Sequence, residues 1–94
     1  MGSWLVQRRL SQLALRLKSL RAELAELDEQ LSVVRSDADD EAIRSMVSET
    51  PDASRAANEA RKHADALQRH RDHVAGSIAE LEQRQDELLD RLTG

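Results

Sequence analysis

Apolar residues recur at Val6, Leu10, Leu13, Leu17, Leu20, Leu24, Leu27, Leu31 and Val34, in steps that alternate between four and three. This is the heptad seam of a coiled coil, with Leu10 at an a position and Leu13 at d. No Gly or Pro interrupts residues 4–35, so the pattern predicts one long helix there. A second run follows the same rule at Leu67, Val74, Ile78, Leu81, Leu88 and Leu92, with Arg71 and Gln85 standing in seam positions. Followed backwards, its frame falls on Ala64, Ala60, Ala57 and Ala53. Small seam residues let two helix backbones approach closely. Thr50-Pro51-Asp52 reads as the start of this helix. Thr is a good N-cap, Pro is favoured at the first helical position, and an acid in the first turn suits the positive end of the helix dipole.

Residues 36–49 admit two readings. Ser36 with Asp39 resembles a capping box, and Ile43, Met46 and Val47 form an i, i+3, i+4 apolar patch, so a fresh short helix could begin near 37. Alternatively the first helix runs on to about 48, with a kink, a break near 36–38, or a stutter in its heptads. Charge pairing favours the longer helix. A turn at 49–51 sets Lys18 opposite Glu82, Arg21 near Glu80, Arg16 near Asp86, Glu29 opposite Arg71, and Asp39 beside Arg61 and Lys62. A turn at 36 would leave residues 70–92 without a partner helix. The expected fold is all-α: an antiparallel two-helix coiled-coil hairpin over a single domain, residues 1–94. Its helix 1 covers about 4–48, its turn 49–51 and its helix 2 about 51–92.

Composition agrees with a thin helical rod. Charged residues make up 34% of the chain and aromatic residues 1%, with Trp4 the sole aromatic. The charge is uneven. Residues 1–22 hold five bases and no acid; residues 23–50 hold nine acids against Arg35 and Arg44; the remainder holds nine acids and seven bases. Pairing of the basic N-terminal stretch with Glu80, Glu82, Asp86, Glu87 and Asp90 accounts for the asymmetry through flanking contacts. A membrane-surface role for residues 4–21 is the sharper alternative. Nucleic-acid binding is disfavoured by the net charge of −4 and by the lack of aromatic residues for base stacking.

Several apolar residues lie off the seam: Trp4, Leu5, Leu15, Val33, Ile43, Met46, Val47 and Leu89. Of these, Trp4, Leu15 and Val33 fall within a narrow sector of helix 1. A seam this thin is marginal alone. A second apolar face on a rod suggests another helical partner. The expectation is a homodimer assembled as a helical bundle, or docking of another helical protein, with Trp4, Leu15, Val33, Ile43, Met46 and Val47 as the contact residues.

Chemistry is thin. There is no cysteine, which excludes disulfides and thiolate sites and suits a cytoplasmic address. His63, His70 and His73, with Glu59, have helical spacing but few ligands on one face, so no metal or cofactor is expected. The serines lie on helices or caps with no pocket for a base and an oxyanion hole, and the three glycines stand apart. The chain therefore reads as a non-enzymatic interaction or adaptor protein. One motif offers a different function. The turn Glu49-Thr50-Pro51-Asp52 leads into Ala53-Ser54-Arg55-Ala56. The Pro51–Ala56 string resembles the coiled-coil tip of the secondary-channel regulators of bacterial RNA polymerase, the DksA/TraR and Gre families. The resemblance implies an acidic tip reaching the polymerase's catalytic magnesium, carried here by Glu49 and Asp52. It covers fewer than ten residues. Ser54 stands where a second acid would fall, and the zinc-finger cysteines are lacking.

Overall fold

The computed structural model describes residues 2–93, and all of these except Glu49 and Thr50 are helical. Helix α1 spans Gly2–Ser48 and helix α2 spans Pro51–Thr93. The all-α, two-helix hairpin expected from the heptads is the fold. Helix α1 runs through 36–38 without a break, so no separate helix begins near 37. The reason lies in the frame. Beyond Val34 the four-three steps land on Ala38, Glu41 and Ser45, each half-buried. The seam thus continues in small and polar residues with no stutter. Ile43, Met46 and Val47 are turned outward, and the apolar patch that suggested a new helix is a surface feature.

The chain divides into two compact units. One joins the residues up to Leu24 with those from His73 onward; the other is Ala25–Asp72. In the first, Leu17, Leu20, Val74, Ile78 and Leu88 are buried, and Leu17 and Leu88 retain only 1% of their surface. Arg21 bridges to Glu82 at 3.7 Å, where Glu80 was the expected partner. In the second unit Leu27 and Ala64 are buried, Ala64 completely. No residue between these two is buried, because the seam there is made largely of Ala38, Ser45, Ala53, Ala57 and Ala60. Arg35 bonds Asp65 at 3.0 Å. Arg71 donates its Nε–H to Asp28 at 2.8 Å, in place of the expected Glu29. Pairs 28–71 and 35–65 run in opposite senses, which fixes the antiparallel order within this unit.

The heptad explains which acids are used. On α1 the residue after each d position flanks the seam on one side. Arg21 follows Leu20, Asp28 follows Leu27 and Arg35 follows Val34. On α2 Glu82 follows Leu81 in the same way, whereas Glu29 and Glu80 are rotated outward. Arg71, at a seam position, keeps its head group at the surface and spans Asp28 and Asp72. Its guanidinium is held above its ordinary pKa, chiefly by the hydrogen bond to Asp28 and then by that to Asp72. Arg71 bonds Asp28 of α1 across the seam, and a slipped alignment would have to give up that bond.

The connection is two residues long. Glu49 closes α1 with φ 53°, in the left-handed region, and its N–H bonds the Ser45 carbonyl at 3.0 Å. The Thr50 hydroxyl accepts the Ala53 N–H at 3.2 Å, and the Thr50 carbonyl accepts the Ser54 N–H at 3.1 Å. Thr50 is thus the N-cap of α2. Thr50→Ala should lower the unfolding free energy by about 1 kcal/mol. Glu49→Gly should raise it by up to about 1 kcal/mol, since an L-residue pays a steric penalty at positive φ. Urea titration of both variants reads the opposite signs directly.

Candidate interaction surfaces

The outer faces are where the chain has chemistry left to use. Helix α1 carries seven exposed large apolar residues, Trp4, Leu5, Leu15, Val33, Ile43, Met46 and Val47, whereas α2 carries only Leu89 and Leu92. Helix α2 is apolar on its seam side and polar elsewhere. Helix α1 has its seam and a second scattered set.

In the first unit Trp4 is 59% exposed and the Arg8 guanidinium sits over its ring, 5.6 Å from the centroid. Leu15 lies on a similar sector but about 16 Å along the axis, at 1.5 Å per residue. Trp4 and Leu15 therefore stand as two separate exposed apolar positions on that sector. The apolar seam of residues 4–21 is covered by α2, with Leu17 and Leu20 buried. A groove of about 330 Å³ opens beside the seam. Its floor is Leu13 and Leu88, and its rim is Arg9, Gln12, Arg16 and Arg84. Arg84 also contacts Glu87 at 3.4 Å.

In the second unit Ile43, Met46 and Val47 do form one cluster, 55%, 71% and 79% exposed. A shallow hollow of about 410 Å³ runs past Asp40, Ile43, Arg44, Val47 and Ser48. Val33 is exposed apart from it, 10 residues before Ile43 in the same helix. A second groove, about 540 Å³, is lined by Val34, Asp37, Asp40, Glu41 and Arg44 of α1 and by Ala56, Glu59, Ala60 and His63 of α2. Four of its residues are carboxylates, and Arg44 neutralises only Glu41, at 2.8 Å. Asp39 was expected beside Arg61 and Lys62, and no ion pair joins it to either. Asp37, Asp40 and Glu41 line a groove with Glu59 of α2. Asp37 precedes seam residue Ala38 and so flanks the seam on the side opposite Arg35.

At the connection, Glu49 and Thr50 are followed by Pro51 and Asp52 in the first turn of α2. The Asp52 side chain is 93% exposed and lies 3.5 Å from Arg55. His63 lines the acidic groove, but among the described residues no three of His, Cys, Asp or Glu converge on a point that could hold a metal ion. No helix among those residues is long and apolar enough to cross a membrane.

Two features are not apparent from the seam pattern alone, the arginine-rimmed groove and the acidic one. Their signal is nonetheless present in the sequence. Arg9 and Arg16 precede seam residues Leu10 and Leu17, and Asp37 and Arg44 precede Ala38 and Ser45, all at multiples of seven. Comparison with protein-family models, curated proteins and solved structures gave no match. The functional reading therefore rests on these surfaces.

Proposed function

We propose that this chain is a non-enzymatic coiled-coil interaction protein, an adaptor that binds partner helices, its own copy first among them. The observation that carries the reading is the apolar imbalance between the helices: seven exposed large apolar residues on α1 against two on α2. Isolated exposed apolar residues are ordinary on protein surfaces. A cluster such as Ile43, Met46 and Val47 at i, i+3 and i+4 is what a docked helix engages. The absence of cysteine is in keeping with a cytoplasmic setting for such a protein. Membrane attachment through residues 4–21 and nucleic-acid binding have less support, since Trp4 and Leu15 stand about 16 Å apart on the helix and the chain has a net charge of −4 and a single aromatic residue.

The triple variant Ile43→Ser, Met46→Ser, Val47→Ser tests the reading. These side chains contribute little to the intrachain core, so circular dichroism should show an intact hairpin. Sedimentation equilibrium should show the wild type as an oligomer at micromolar concentration and the variant shifted toward monomer. A wild type that is a stable, fully folded monomer, and that cross-links to no helical protein in its native extract, would sink the proposal.

Polymerase regulation is the second reading, favoured by the exposed carboxylates of Glu49 and Asp52 beside a two-residue connection. It draws less from the structure, because Thr50, Pro51 and Asp52 are each accounted for by helix capping and Asp37, Asp39 and Asp40 lie within α1, away from the connection. Co-purification of RNA polymerase with the wild type, lost in Glu49→Ala, Asp52→Ala, would turn the choice toward it.

A further inference from the structure

The two grooves carry opposite charge, and the charges that define them are unspent. Arg9 and Arg16 make no ion pair within the described chain, and neither do Asp37 and Asp40. All four side chains are exposed. Each groove has an apolar floor, Leu13 with Leu88 in one and Val34 with Ala60 in the other. Guanidinium groups above leucines suit an acidic, partly apolar surface, and carboxylates above valine and alanine suit the converse. The chain itself supplies both halves.

We infer that two copies of this chain associate groove to groove, the arginine-rimmed groove of one seated on the carboxylate-lined groove of the other. This rests on the self-association reading and adds a second contact beside the Ile43–Val47 face, since Asp40 and Arg44 border both that hollow and the acidic groove. The contact is reciprocal: each copy offers one basic and one acidic groove, and two identical contacts close a two-fold dimer. The same charges oppose the alternatives. Basic groove on basic groove, or acidic on acidic, sets like charges together, so the electrostatics favour basic on acidic.

Charge reversal on the full-length chain tests this by sedimentation equilibrium. Arg9→Glu, Arg16→Glu leaves both grooves acidic, and Asp37→Arg, Asp40→Arg leaves both basic. Each double variant should keep the helical signal of the wild type and dimerise at least about tenfold more weakly, as unlike charges become like. An equimolar mixture of the two should recover a one-to-one heterodimer, and salt at about 0.5 M should weaken that heterodimer and the wild-type dimer alike. Reversals that leave the wild-type affinity intact would overturn the groove pairing while leaving self-association standing. So would reversals that weaken dimers without rescue on mixing. A wild-type chain that stays monomeric overturns the pairing as well, and the adaptor reading is then decided separately by whether other helical proteins cross-link to the Ile43–Val47 face.

Discussion

Leu17→Ala is expected to cost about 2–5 kcal/mol of unfolding free energy, measured by urea denaturation at fixed protein concentration. Leu17 retains 1% of its surface, and it is one of only six large apolar side chains buried in the described chain, with Leu20, Leu27, Val74, Ile78 and Leu88. A thin seam has few layers to relax into a cavity, so the deletion removes transfer free energy and leaves a void. Domains of this size hold about 5–15 kcal/mol in total, and one substitution would take a large share. Leu15, two residues earlier and 71% exposed, is the internal control. Leu15→Ala should change stability by less than about 0.5 kcal/mol in the monomer. Equal effects at the two positions would mean that the seam frame is wrong by a residue.

The second large effect runs the other way in volume. Ala64 is completely buried although its side chain is a single methyl group. The backbones must come close there, with the Arg35–Asp65 bond at 3.0 Å beside it. Ala64→Leu adds three carbons where no space exists, and should cost about 1–3 kcal/mol as the helices are forced apart. Ala66→Leu, at an exposed position of the same turn, should be close to neutral. Hydrophobicity alone predicts that both leucines stabilise, so a loss at Ala64 against neutrality at Ala66 is a direct reading of packing.

The leucine half of the seam was plain in the sequence because large apolar residues at four-three spacing are what a helix with one narrow buried stripe requires. The connection was legible too, since Thr50, Pro51 and Asp52 each satisfy a different requirement of a helix start. The seam beyond Val34 was harder to see. Ala38, Glu41 and Ser45 hold the frame without being large and apolar, while Ile43, Met46 and Val47 are hydrophobic without holding it. A search that weighs apolarity above phase follows the wrong set. Salt-bridge partners missed by one or two residues for a similar reason. Opposition by residue number ignores which side of the seam a side chain occupies, and Asp28, next to Leu27, is in reach of Arg71 where Glu29 is not. The grooves are harder to see because their chemistry belongs to flanking positions of both helices at once, and the seven-residue spacing of Arg9, Arg16, Asp37 and Arg44 displays only the α1 half.

The small seam residues beside the connection also set how the molecule breathes. Between Leu27 and Ala64 no side chain is buried, so the closing turns of both helices are held mainly by backbone hydrogen bonds, methyl contacts and surface ion pairs. Such a segment opens at lower free energy than one clamped by leucines. Hydrogen exchange should therefore find faster amide protons there than around Leu17 and Leu88. Glu49 and Thr50 keep the two helix ends tethered two residues apart.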